Sequence, residues 1–178
     1  VDSRNSFIYH SDGETGRIWK LRAGDGKEVK NWTTPHGWGH TSFGGMDVDG
    51  AGNVLVAYPQ DWPVGAYHYI LKYDPNGTNL TYIGGFGSGE GQFNDPQDVE
   101  VLPDGDLLVA DSGNNRIQKL DPTGRWIASF GSKGTNNTTF DYPYALACDD
   151  KYIYVVDQNN NRIQRLSHEV KLIQVKPA

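Results

Sequence analysis

Cysteine is almost absent from this chain of 178 residues, in which Cys148 is the only one. A single thiol cannot form an internal disulfide, which excludes a fold held together by disulfides. Long hydrophobic runs are missing as well, since stretches such as 107–110 and 153–156 are far shorter than the roughly 20 residues of a membrane-spanning helix. The sequence therefore predicts no membrane span.

Basic residues are also scarce, with 16 Lys and Arg against 22 Asp and Glu, a formal charge of −6 and a pI near 5.2. Such a chain offers no basic stripe to displace counterions from phosphates, so a nucleic acid partner is not expected. Hydrophobic residues make up 37% and aromatic residues 12% of the sequence. That share is enough for a hydrophobic core, which predicts a folded chain.

No segment has a sustained helical period, so we expect almost no helix. Instead, a unit of about 46 residues repeats, and the segments 107–120 and 153–166 show it most clearly. Asp-Gly, Asn-Asn and Pro-x-Gly turn signals divide each unit into short strands. Four strands in a repeat of this length are typical of a propeller blade. The predicted fold class is therefore all-β, a single β-propeller domain over 1–178 with four blades at approximately 6–43, 44–92, 93–139 and 140–178.

The strand count predicts an open ring. The first copy begins at its second strand, around 6–10, and the last copy ends with a predicted outer strand at 170–175. The stretch 59–67 is predicted to be an insertion between the second and third strands of the second copy. An open arc would expose strand edges and blade faces to other chains. Three interpretations stay open: a piece of a longer chain, copies that complete one another and could form a filament, or a compact four-bladed ring.

The repeats resemble a known family. Phe93-Asn-Asp-Pro-Gln, Val109-Ala-Asp and Asn114-Asn-Arg-Ile, together with their counterparts from Phe140 to Ile163, are similar to NHL repeats. The resemblance is strong over residues 93–166 and weaker over 44–92 and 6–43. It implies short four-stranded blades, commonly six to a ring, and a domain used mostly for binding.

Aspartate recurs five positions before arginine across three predicted hairpins. Because arginine can bind a carboxylate bidentately, such a repeated pair is predicted to pin each blade at the same place. The Asn-rich turns beside them are predicted to supply left-handed residues. The three pairs are Asp12 with Arg17, Asp111 with Arg116, and Asp157 with Arg162.

The segment His36-Gly-Trp-Gly-His40 is a weak candidate for a metal site. The NHL resemblance also includes peptide-amidating lyases, which hold a metal through histidines from several blades. Here the matching positions in the later copies are Phe93 and Phe140, and zinc seldom binds two nitrogens alone. We therefore predict no catalytic residue, no resident metal and no cofactor.

Five asparagines carry the Asn-x-Thr pattern of N-glycosylation acceptors. The pattern predicts a secreted, extracellular glycoprotein with N-linked glycans; a polar turn composition is the alternative. Aromatic residues around Trp32, Trp38 and Trp62 suit either a face that binds glycans or protein, or packing between blades. The five acceptors are Asn31, Asn76, Asn79, Asn136 and Asn137.

The predicted function is a non-enzymatic extracellular propeller that binds other copies of itself, other protein chains or glycans, as a binding or structural module. One alternative is a fragment of a larger NHL scaffold for protein binding. The other is a metalloenzyme similar to the amidating lyases.

Overall fold

The chain forms antiparallel sheets. The computed structural model describes residues 7–35, 43–60, 67–78 and 80–167. These residues form fourteen strands in four sheets, and their only helical element is a 3-10 turn at Ser112–Asn114. No helix within these ranges has the length and apolarity needed to cross a membrane. The prediction of an all-β propeller is confirmed.

Each sheet is one blade, in which strands that are consecutive along the chain pair with each other. Blade I contains β1 (Phe7–Asp12), β2 (Arg17–Arg22) and β3 (Glu28–Thr33). Blade II contains β4 (Met46–Val48), β5 (Val54–Gln60), β6 (Tyr67–Tyr73) and β7 (Leu80–Gly84). Blade III contains β8 (Pro96–Val101), β9 (Leu107–Asp111), β10 (Arg116–Leu120) and β11 (Trp126–Phe130). Blade IV contains β12 (Pro143–Cys148), β13 (Tyr152–Asp157) and β14 (Arg162–Ser167).

One predicted feature of the blades is corrected by the structure, and another stays a prediction. The predicted insertion at 59–67 is wrong at both ends, because Pro59 pairs with His68 and Gln60 with Tyr67. The paired strands β5 and β6 therefore extend into both ends of the predicted insertion. Residues 61–66, between these strands, lie outside the described residues. The outer strand predicted at 170–175 also lies outside them.

Left-handed asparagines close the turns between the second and third strands of two blades. Asn115 and Asn161 have φ values of 55° and 51°, a conformation that asparagine tolerates better than most residues. In each Asn-rich turn only the last asparagine adopts this conformation among the described positive-φ residues. The side chain of the preceding asparagine is used instead to bind the aspartate that ends the second strand.

Three hydrophobic cores join the four blades in series. One core lies between blades I and II, one between II and III, and one between III and IV. β9 contributes to two of them, since Leu107 and Val109 face blade II while Leu108 and Ala110 face blade IV. The continuous apolar sequence at 107–110 suits this burial on both faces. Within the described ranges no core joins blade IV to blade I, so the blades form an arc.

Candidate functional site

The Asp111–Arg116 pair is the centre of a buried network in blade III. The Oδ2 atom of Asp111 accepts hydrogen bonds from Arg116 Nε at 2.6 Å and Gln118 Nε2 at 2.9 Å. Its Oδ1 atom accepts one from the backbone N–H of Asn94 at 2.7 Å. The Arg116 guanidinium and the Gln118 side-chain amide also donate hydrogen bonds to the backbone carbonyl of Gln92. The network therefore ties the hairpin to the loop that enters the same blade.

Blade IV repeats this network atom by atom. Asp157 Oδ2 accepts from Arg162 Nε at 2.8 Å and Gln164 Nε2 at 3.0 Å, and Oδ1 accepts from the backbone N–H of Asp141. Burial alone would raise the pKa of Asp157, but these hydrogen bonds, with that from Asn160, outweigh it and hold the pKa below its usual value. A group that recurs at equivalent places in two blades serves the fold rather than a reaction.

The first pair differs from the prediction. Asp12 and Arg17 lie opposite each other in the β1–β2 ladder, but the Asp12 carboxylate accepts hydrogen bonds from Glu14 N and Thr15 Oγ1. Among the described residues no ion pair joins Asp12 to Arg17. The turn explains the difference, because Thr15 stands where the other blades have asparagine and provides a closer donor. Trp19 likewise replaces the glutamine of the other two networks.

The glutamines of these networks, Gln118 and Gln164, were missed by sequence reasoning. Both are buried, and each also accepts a hydrogen bond from a backbone N–H of the entering loop. The signal was present, since Arg-Ile-Gln occurs in both copies at the repeat spacing.

A cavity of about 460 Å³ lies where the four blades converge. Among the described residues each blade contributes two to the lining, so the cavity lies at the axis of the arc. The lining consists of Ser11 and Gly13 from blade I, Phe43 and Pro59 from blade II, Asp95 and Gln97 from blade III, and Tyr142 and Tyr144 from blade IV. We call it the axial cavity, and it is the candidate functional site.

A polar cluster bridges two blades in this cavity. The hydroxyl of Tyr142 donates to Asp95 Oδ2 at 2.5 Å, and Gln97 Nε2 donates to Asp95 Oδ1 at 2.7 Å. Burial is the largest cause that raises the pKa of Tyr142 well above its usual range, and the neighbouring carboxylate of Asp95 raises it further. The tyrosine therefore stays protonated and acts as a hydrogen-bond donor, not as a base.

Asp95 and Tyr142 occupy the same position in successive repeats, and both have unusual backbones. Their φ values are 53° and 58°, and each precedes a proline. Such left-handed conformations cost about 1–3 kcal/mol each for a residue other than glycine. Two hydrogen bonds hold them, from Asp95 N–H to His68 Nδ1 at 2.7 Å and from Tyr142 N–H to Asn115 Oδ1 at 2.9 Å. The backbone thus directs both residues towards the axis.

Carboxylates on the inner strands β4 and β8 form a second group that the sequence did not reveal. Each accepts the backbone N–H of a residue on the inner strand of the next blade: Asp47 from Val101, Asp98 from Leu146, and Glu100 from Cys148. Burial raises the pKa of Asp98 to about 6, the backbone hydrogen bonds opposing it only in part. These contacts satisfy strand edges where blades meet.

Cys148 is chemically inert in this setting. Burial is the largest cause that raises the pKa of its thiol to about 12, and the neighbouring Glu100 carboxylate is the next largest. A thiol that stays protonated is a poor nucleophile and a poor metal ligand.

Several of the remaining predicted site residues have no described structure. His36, His40, Trp38, Trp62 and Asn79 lie outside the described residues. Within the described ranges no group of three or more His, Cys, Asp or Glu residues could hold a metal ion. Trp32 is buried between blades I and II, where its ring lies 5.7 Å from that of Tyr73, so it packs rather than binds.

The acceptor asparagines differ in exposure. Asn76 in the β6–β7 turn is exposed, as are Asn136 and Asn137 in the loop that enters blade IV. Asn31 is half-buried on β3, and its side-chain amide donates to Glu28 Oε1 at 2.6 Å.

Comparison with known proteins agrees with the repeat architecture. The family model of the NHL repeat matches residues 93–120, the part of blade III that contains Asp111 and Arg116. Human NHL repeat-containing protein 3 is 29% identical over 121 residues, which make up 65% of this chain and 32% of that protein. The chain belongs to the NHL-repeat β-propeller family.

Two further similarities extend over most of this NHL chain. Peptidyl-alpha-hydroxyglycine alpha-amidating lyase 1 of Drosophila melanogaster is 28% identical over 184 residues, covering 92% of this chain and 32% of that protein. A streptogramin B lyase structure superposes with a TM-score of 0.70 at 16% identity, covering 94% of this chain and 50% of that one. At that identity the superposition shows the fold alone.

The chain spans only part of the proteins it matches. It covers between 5% and 33% of the length of the curated relatives. These relatives include amidating enzymes as well as NHL proteins, so family membership alone leaves enzymatic activity undecided.

Proposed function

We propose that this NHL propeller is a non-enzymatic, extracellular binding and structural module that associates with a second copy of itself and carries N-linked glycans. The observation that carries the self-association is an apolar face of blade IV that no neighbouring blade covers in the described part of the chain. The axial cavity and the exposed acceptor asparagines support the binding role and the glycosylation, respectively.

The open face of blade IV becomes clear by comparison with blade III. Val156 and Ile163 are partners in the β13–β14 ladder, and they are 37% and 69% exposed. Their counterparts one repeat earlier, Ala110 and Ile117, form the same kind of pair and are fully buried against blade IV. The side chains at this face are therefore of the type that contacts a neighbouring blade. Leaving them in water forfeits the free energy of burial, about 25 cal/mol for each Å² of apolar surface.

A second copy is the occupant that fits this face best. The match to the streptogramin B lyase structure covers 94% of this chain and 50% of that one, and a second copy of these four blades would provide as much chain again. β1 of blade I pairs only with β2 in the described part of the chain, which leaves its inner edge for contact with the blade IV of a partner. Two such contacts would close a ring, whereas a rotation that does not close would give a filament.

The residues that replace histidine support the non-enzymatic assignment. His40 aligns with Phe93 and Phe140 in the later repeats, and both phenyl rings are fully buried. A phenyl ring cannot bind a metal, so these blades cannot provide the histidine set that the resemblance to amidating lyases implies. Among the described residues, the axial cavity adds a single carboxylate.

The extracellular assignment depends on the acceptor sites. Asn76, Asn136 and Asn137 are exposed in turns or loops, where a glycan can be attached without disturbing a core. Intact-mass measurement of native material before and after glycosidase treatment tests this directly. A hexose-rich mass loss is expected, and an unmodified polypeptide mass would contradict the assignment.

Light scattering of the purified chain tests the self-association. We expect the mass of two chains or a multiple of it, and the mass of one chain for Ile163→Glu, which places a charge on the open face. Ile127→Glu is the matched control, because Ile127 is exposed on β11 of blade III and should leave the assembly unchanged. A single-chain mass for the unaltered protein would overturn the proposal and favour a piece of a longer propeller.

A further inference from the structure

The geometry points to the axial cavity as a binding site for an organic cation, an alkylammonium or guanidinium group such as a lysine or arginine side chain of a peptide partner. The Asp95 carboxylate would bind the charge, and the rings of Phe43, Tyr142 and Tyr144 would surround it. This inference goes beyond the proposed self-association and does not depend on it.

Asp95 differs from the network aspartates Asp111 and Asp157 in having only neutral partners. Its carboxylate accepts hydrogen bonds from Gln97 and Tyr142, and no lysine or arginine of the described ranges forms an ion pair with it. In contrast, Asp111 is paired with Arg116, and Asp157 with Arg162. The negative charge of Asp95 is therefore available to a ligand, and hydrogen bonds to an ionised carboxylate are stronger than those between neutral groups.

The rest of the lining selects the type of ligand. Among the described residues no lysine or arginine lines the cavity, and such a lining disfavours anions. A single carboxylate is too few for calcium or magnesium, which prefer several oxygen ligands. Three aromatic side chains, however, can face a cation with the negative faces of their rings and can bury the alkyl part of its chain. Tyr144 is nearly half exposed and therefore accessible from solvent.

The repeats indicate that the carboxylate is not required by the fold. The network aspartates Asp111 and Asp157 occupy equivalent positions, as expected of a structural element. Asp95 instead corresponds to Tyr142, which has the same backbone conformation before a proline without a carboxylate. The blade therefore folds with either residue, and the acid in blade III adds charge specifically to the axial cavity.

Calorimetric titration of the full chain with n-butylammonium chloride tests the inference, with sodium n-butyrate as the anion of matching length. We expect saturable binding of butylammonium alone. Asp95→Asn should weaken it by about tenfold, the loss of one charge-assisted interaction. Asp150→Asn is the matched control, because it removes the same charge from an exposed residue in the β12–β13 turn and should leave the affinity unchanged.

Tyr144→Ala provides a second variant should Asp95→Asn fail to fold, since it removes an exposed aromatic wall and should also weaken binding. Butyrate binding as tightly as butylammonium, or unchanged affinity in both cavity variants, would overturn the inference. Light scattering of the same samples separates it from the proposed self-association, because Ile163→Glu should lose the second copy and still bind butylammonium.

Discussion

The buried carboxylate of Asp98 gives the sharpest prediction about stability. Its pKa is raised from 3.8 to about 6 by burial between the inner strands β8 and β12. Between these pH values the folded chain therefore holds a proton that the unfolded chain has released. Stability is predicted to fall as the pH rises through this window, in contrast to the usual behaviour of a salt-bridged aspartate.

The size of the effect follows from the pKa shift. A shift of this size corresponds to about 3 kcal/mol in the free energy of unfolding over the whole window, and to about 2 kcal/mol between pH 4.5 and 7.5. Asp98→Asn removes the charge and retains an acceptor for the backbone N–H of Leu146. The variant should therefore be more stable relative to the unaltered chain at pH 7.5 than at pH 4.5, by about 2 kcal/mol.

Urea denaturation of both proteins at the two pH values measures this difference. Asp150→Asn, which changes an exposed aspartate, is the control and should show no such pH dependence. The reasoning would be refuted if the stability difference between Asp98→Asn and the unaltered chain were the same at pH 4.5 and 7.5.

Two further predictions concern the blade networks and the thiol. Gln118→Ala should lower the free energy of unfolding by about 2–4 kcal/mol, because it leaves buried partners of the blade III network unpaired; Gln158→Ala at an exposed turn is the denaturation control. A loss no larger than that of the control would contradict the structural role of the network. Cys148 should react with iodoacetamide at pH 8 about 50-fold more slowly than a free cysteine, because a pKa of about 12 leaves little thiolate and the higher nucleophilicity of that thiolate offsets only part of the loss. Mass spectrometry measures the rate of alkylation. A rate for the folded chain close to that of the unfolded chain would show that Glu100 and burial do not keep the Cys148 thiol protonated.

The blades could be predicted because their signals are local. Hydrophobic strands such as β9, with both faces buried, and the asparagines that end the Asn-rich turns of blades III and IV are encoded within a few residues. The Asp–Arg pairs were equally local, yet the first one failed. Its spacing matches the others, but Thr15 and Trp19 replace the asparagine and glutamine that complete the network elsewhere. Spacing alone therefore does not specify a side-chain contact.

The axial cavity could not be predicted, because its lining comes from four repeats that are far apart in the sequence. Asp95 and Tyr142 meet only when blades III and IV pack, 47 residues apart along the chain. The contacts of Asp98 and Glu100 are equally hard to predict from the sequence. Polar residues that alternate with valine suggest a solvated strand face, whereas here that face meets the inner strand of the next blade.

Electron microscopy of the native, unproteolysed protein tests the central claim most directly. The account predicts particles in which the arcs of two chains, each with four blades, complete one another as a ring or continue as a filament. Isolated arcs of a single chain, or particles of a longer polypeptide that supplies its own further blades, would contradict it.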